Sequence, residues 1–179
     1  MKLFIRGLLA ALLLSVFVFS GCGGKGTNKT TLVVFEADSL IVPFAQIQKE
    51  FEAANPGIQV RIEAHGSIQV IRQVTELDQD VDIVAVADSS LIPMLMYQTM
   101  MPDGKPYASW DIMPATNQLV LAYNSKSKYV DEINSSNWYQ IVSRSDVKFG
   151  LADPRMDAVG YRTQMALKLA ETYNGVANI

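Results

Sequence analysis

The sequence predicts an α/β fold built on a mostly parallel sheet. Two observations carry this expectation. Short β-branched runs alternate along the chain with segments whose apolar residues recur at helical spacing. Three of the strand-to-helix junctions also share one form, a small or acidic residue followed by serine: Asp38-Ser39, Gly66-Ser67 and Asp88-Ser89. Regular alternation of the two periods favours a parallel sheet with crossover helices.

In chain order, "TLVVFEA" (31–37) reads as the first strand. "PFAQIQKEFEAAN" (43–55) reads as a helix with Phe44, Ile47 and Phe51 on one face, ended by "NPG", where Gly57 suits a left-handed cap. "IQVRIEA" (58–64) is the second strand, and "IQVIRQVTEL" (68–77) a helix with Ile68, Ile71 and Val74 on one side. "VDIVAVA" (81–87) is the third strand, and "MLMYQTMM" (94–101) a short helix. The texture then changes. Pro106 and Pro114 precede "NQLVLAYN" (117–124), a strand pattern that reads as a crossing segment. "SNWYQIVSR" makes a short helix starting near Asn137, "VKFGLA" (147–152) a strand, and an amphipathic helix begins near Gly160.

The N-terminus sets the compartment. Lys2 and Arg6 precede an apolar stretch too short for a confident membrane span, which reads as the core of a signal peptide. "FSGC" resembles a bacterial lipoprotein cleavage box, with Phe19 where leucine is more usual. That resemblance implies a signal over 1–21, a lipid on Cys22 and a flexible leader over 22–30. The expected location is extracytoplasmic and membrane-anchored, at the cell surface or in a periplasm. Cys22 is the only cysteine, so no intrachain disulfide can form.

The formal net charge of the 179 residues is −3, with no basic run and no aromatic–basic interleaving, which argues against nucleic-acid binding. His65 is the only histidine and has no Cys or His cluster around it, so it reads as a loop residue and not a metal ligand. Met94, Met96, Met100 and Met101 read as packing on a short helix. Ser39 and Ser67 lack a triad pattern, so nucleophilic catalysis lacks a base and the expected protein is not an enzyme. Asp153 and Asp157 could form an acid/base pair, but nothing else points to a hydrolase.

Serine is a favoured helix N-cap, which explains any one junction by itself. Recurrence at the first two points further. In open α/β sheets ligands bind at the carboxyl ends of the strands, where helix N-termini present N–H groups suited to an anion. An acidic chain can still hold one, because local donors decide affinity and distant charge is screened.

The segments "ADSLIVPFAQIQKEFEAANPGIQV", "EAHGSIQVIRQVTELDQDVDIVAVADSSLIP", "NQLVLAYNSKSKY" and "NWYQIVSRSDVKFGLADPRMDAVGYR" resemble the tungstate- and molybdate-binding lipoproteins of ABC importers. The resemblance runs from about Leu32 to the end of the chain. It implies a type II periplasmic-binding fold whose two lobes clamp one oxyanion. The first lobe would span 31–115, and the crossover strand with part of the second lobe 116–179. Family members are about twice this length, so the second lobe is expected to be incomplete here and this chain to bind poorly by itself.

Carried over by residue, the resemblance implies oxyanion contacts from Ser39 and Ser67 and from the backbone at Asp38, Gly66 and Val159. Asp38 stands where the family usually has glycine. The family's Asp-Pro-Cys-Gly-Tyr-Arg pattern appears as Asp157-Ala158-Val159-Gly160-Tyr161-Arg162. Asp157 matches the carboxylate that reaches the tungsten or molybdenum centre itself. A second such carboxylate lies beyond Ile179 in the family. Asp153 precedes Pro154 and fits a turn-forming role better than a ligand role. Tyr161 is a lesser candidate for the oxyanion, and Arg162 a candidate ion-pair brace for Asp157. No cofactor is expected beyond the bound anion, and the implied partners are an ABC permease and the membrane. The alternatives are another anion (sulfate, phosphate or an organic acid) or a truncated, anchored protein with no ligand.

Overall fold

A computed structural model describes residues 29–179. Cys22, the signal and most of the expected leader lie outside the described residues. Three parallel strands, β1 (Thr30–Ala37), β2 (Ile58–His65) and β3 (Ile83–Ala85), form a sheet in the order β2-β1-β3. A short 3-10 turn (Asp38–Leu40) leads from β1 into α1 (Ile41–Ala54), and α2 (Ser67–Thr75) joins β2 to β3. A widened helical turn at Ile92–Met96 follows, closed by the Tyr97 N–H donating to Ile92 O at 3.2 Å. Two further helices are α3 (Trp138–Val142) and α4 (Ala158–Asn174). No helix of the described residues is long and apolar enough to cross a membrane.

Alternation along β1 sends Phe35 to one face of the sheet and Val34 and Glu36 to the other. Phe35 packs with Val70, Ile71 and Val74 of α2 and with Leu91, Ile92 and Met96. Met96 is therefore core, but Met94 and Met100 stay exposed, so the expected methionine packing holds for only part of the set.

α1 differs from its expected face. Ile47 is 54% exposed and Phe51 37%, while Phe44, Gln48 and Glu52 are the half-buried positions. The reason is the sheet edge. β2 is an edge strand, and an unpaired backbone group there needs a partner. Gln48 Nε2 donates to the Val60 carbonyl at 2.8 Å, and Glu52 accepts from the Val60 N–H at 2.7 Å. Gly57 does not take a left-handed conformation. Its carbonyl instead accepts from the Thr30 N–H at 2.9 Å, pinning the start of β1 to the start of β2. The left-handed cap occurs at Gly175, with φ 63°, where α4 ends.

Two expected strands, 117–124 and 147–152, form no ladder among the described residues. Strand geometry is stabilised by hydrogen bonds from a neighbouring strand, which apolar alternation cannot supply alone. Val120 is 73% exposed, and Leu119 and Leu151 are also exposed.

Glu36 is the anomaly of the sheet. It is 2% exposed and its Oε2 has no hydrogen-bond partner among the described residues. Burial, with the nearby Asp38 charge adding to it, raises its pKa above the ordinary value. The charged form is thus penalised in the folded chain. The penalty is full above the folded pKa and is relieved as pH falls toward the unfolded value. Glu36→Leu is expected to raise stability at pH 7 by about 1–3 kcal/mol, the usual cost of an unsatisfied buried polar group. The gain should shrink on acidification. Thermal melts from pH 4 to 8 check this, and a variant less stable at every pH would mean that Glu36 has a partner.

Candidate functional site

β1 and β2 run in register, with Ala37 opposite His65, so Asp38-Ser39 and Gly66-Ser67 leave the carboxyl edge of the sheet side by side. The two serines then differ. Ser39 is exposed. Ser67 is 0% exposed, and its hydroxyl oxygen accepts from the Ala87 N–H at 3.2 Å. Neither acts as a side-chain N-cap; the cap of α2 is Gly66 in extended conformation. The Ser67 hydroxyl keeps its own proton free to donate. Asp38 is exposed, one step from the exposed Ser39.

The segment before α4 closes against this edge. The N–H groups of Ile68 and Gln69 donate to the Met156 carbonyl at 3.1 and 3.3 Å. Two of the donors at the α2 N-terminus are therefore engaged by the chain itself. A Cβ on Gly66 would lie 2.5 Å from Met156 O and 3.1 Å from Asp157 Cβ, so only glycine permits this approach. Asp157 is the extended N-cap residue of α4 and makes no side-chain cap hydrogen bond. It is half-buried, and its backbone is held by its N–H donating to Asp153 O at 3.1 Å. Val159, in the first turn of α4, is 43% exposed.

Asp153 takes a turn-forming role. Its carboxylate accepts from the Arg155 N–H at 2.9 Å and pairs with the Arg155 guanidinium at 2.6 Å. The Arg155 side chain and then its N–H hold the Asp153 pKa down to about 2. Its oxygens are committed locally, which separates it from Asp157.

Arg162 does not go where the sequence pointed. Arg162 pairs with Asp88, not Asp157, through Nε at 2.8 Å and a terminal nitrogen at 2.7 Å. The Tyr161 hydroxyl donates to the same Asp88 oxygen. Asp88 had signalled only a junction in the sequence, because its partners on α4 lie more than seventy residues away.

These elements gather Gly66, Ser67 and Asp157 at the carboxyl edge of the sheet, beside the Asp38-Ser39 junction. Residues 32–179 match the bacterial extracellular solute-binding protein family, and the chain belongs to it. It is 44% identical over 181 residues to the molybdate/tungstate-binding protein WtpA of Pyrococcus abyssi, covering 94% of this chain and 51% of that one. The WtpA protein of Thermococcus kodakarensis is 41% identical over 182 residues, covering 94% and 49%. An uncharacterised solute-binding protein of Methanococcus maripaludis strain C5 is 42% identical over 175 residues, covering 93% and 48%. The chain thus spans about half the length of the curated relatives it matches.

Proposed function

We propose that the protein captures tungstate or molybdate outside the cytoplasm and presents it to the permease of an ABC importer. The observation that carries this is the closeness of Asp157 to Gly66, at the sheet edge beside the Asp38-Ser39 junction. Hydroxyl and N–H donors there suit an oxyanion, while a carboxylate suits only an anion whose central atom can accept a further oxygen ligand. The Pyrococcus and Thermococcus relatives are molybdate/tungstate-binding proteins, which supports the same anions. In this proposal the chain folds as a type II binding protein. Its first lobe spans 31–115, its second begins at 116, and a further carboxylate comes from the half of the relatives that this chain does not span.

Ser39 and Ser67 donate to oxyanion oxygens, and Asp157 reaches the metal centre. The backbone N–H groups of Asp38, Gly66 and Val159 complete the cradle. A lipid on Cys22 anchors the protein, since two acyl chains hold a protein at a membrane where one is marginal. Labelled palmitate should mark the parent chain and not Cys22→Ser; an unlabelled parent would remove the anchor.

Calorimetry with tungstate, molybdate, sulfate and phosphate tests the binding proposal. The chain is titrated alone and also extended with the remaining half of the Pyrococcus relative. The extended form should prefer tungstate and molybdate, and the chain alone should bind weakly. Ser39→Ala and Ser67→Ala should each cost about 1.5–3 kcal/mol on all four anions, the worth of a hydrogen bond to a charged partner. Asp157→Ala should erode the preference for the metal oxyanions. Sulfate bound as well as tungstate would sink the coordination argument. The second possibility, an anchored protein with no ligand, is favoured only by the engagement of the Ile68 and Gln69 N–H groups with Met156. Absence of binding in both forms would select it.

A further inference from the structure

Asp88 lies just past β3, is 7% exposed, and sits at the same sheet edge as the two serine junctions. Every oxygen of its carboxylate is used. Oδ1 accepts from the Ser90 N–H at 3.0 Å and the Ser90 hydroxyl at 2.7 Å. Oδ2 accepts from the Tyr161 hydroxyl and from two nitrogens of Arg162. Tyr161 and Arg162 stand where the first turn of α4 passes into the second, four and five residues after Asp157. The residue before Asp88, Ala87, holds the Ser67 hydroxyl through its N–H. Asp88 therefore ties together the element that fixes Ser67 and the element that carries Asp157.

We propose that Asp88 is a positioning residue, a latch that holds the α4 N-terminus on the sheet edge so that Asp157 stays against Gly66, next to Ser67 in the chain. The latch itself stands on this geometry alone; its effect on anion binding rests on the function proposed above. Other ties across the junction are the Met156 carbonyl, which accepts from the Ile68 and Gln69 N–H groups, and the packing of Tyr161 against the core. The latch also commits the Arg162 guanidinium to Asp88.

Burial alone would push the Asp88 carboxyl up, but the bonds from Tyr161, Ser90 and Arg162 outweigh it and hold the pKa well below the carboxylate range. Burial and Asp88 together push the Tyr161 hydroxyl up to about 12. The latch is consequently ionised on the Asp88 side and neutral on the Tyr161 side throughout the physiological range.

Amide hydrogen exchange on the full chain tests the latch without any ligand. Asp88→Asn keeps the size of the side chain and loses the charge. It should speed exchange of the Ile68 and Gln69 N–H groups by about tenfold or more through local opening, and leave the β1 amides unchanged. Tyr161→Phe, which removes one donor only, should give a smaller change of the same kind. Unchanged Ile68 and Gln69 exchange in Asp88→Asn would overturn the latch. Equal acceleration in β1 would also overturn it, by showing a general brace.

Stopped-flow dissociation of tungstate and sulfate, on the form extended as above, gives the second readout. Asp88→Asn should speed release of both by the same factor. A change in their ratio would place Asp88 in contact with the anion and overturn the positioning role. If the parent form binds neither anion, the proposed function fails, and the exchange experiment still decides the latch.

Discussion

Truncating Phe35 to alanine is expected to cost about 3–5 kcal/mol of folding stability, the usual range for an aromatic removed from a packed core. Phe35 is 2% exposed on the central strand and packs against Val70 and Ile71, themselves 0% and 1% exposed. A three-stranded sheet has little other apolar surface to compensate. The consequence reaches the site, because β1 delivers Asp38-Ser39 and α2 begins at Ser67. When the wedge between them is lost, the two serine junctions lose their fixed spacing. Ile47→Ala is the control. With Ile47 54% exposed, this change should fall within about 0.5 kcal/mol of neutral. Urea unfolding of the two variants decides the matter. Similar costs would mean that α1 and α2 contribute equally to the core, contrary to the packing described here.

Alanine at Gly160 should destabilise the chain by about 1–3 kcal/mol through overpacking, even though alanine is normally the better helix former. A Cβ there would sit 2.5 Å from Ala152 O and 2.7 Å from both N and Cα of Pro154. All three are backbone atoms and cannot swing aside as a side chain would. Gly66→Ala should behave in the same direction for the same reason. Gly66 has φ −62° and ψ 144°, a conformation any residue adopts, so its cost comes from close contacts, above all that with Met156 O. That oxygen is itself held by the Ile68 and Gln69 N–H groups and can retreat only by breaking them. Gly57→Ala provides the comparison, since its Cβ would meet nothing within 4 Å. It should be neutral or slightly stabilising. Thermal melts that rank Gly160→Ala with Gly57→Ala would contradict the close packing of the 152–157 segment on α4 and α2.

The sequence by itself determined the run of elements from β1 to α2 and the helix beginning near Gly160. Both follow from local periodicity and end signals, which act within a few residues. It also marked the Asp38-Ser39 and Gly66-Ser67 junctions, because a strand leading into a helix carries a recognisable composition at the turn. It assigned Asp153 a turn-forming role through the proline that follows it, and Asp153 does accept from the Arg155 N–H and pair with the Arg155 side chain.

Only the tertiary structure decided which groups answer one another across the chain. The partner of Arg162 is Asp88, 74 residues away, where proximity in sequence pointed to Asp157. The inner face of α1 uses Gln48 and Glu52, because an edge strand left Val60 with unpaired backbone groups. The alternation in 117–124 and 147–152 made no strands, because a strand takes its hydrogen bonds from a neighbour and none pairs with these among the described residues. Local pattern fixes a segment's preference through its own backbone and side chains. Pairing depends on what the rest of the chain brings within about 3 Å, and a side chain's spacing in sequence carries no record of that distance.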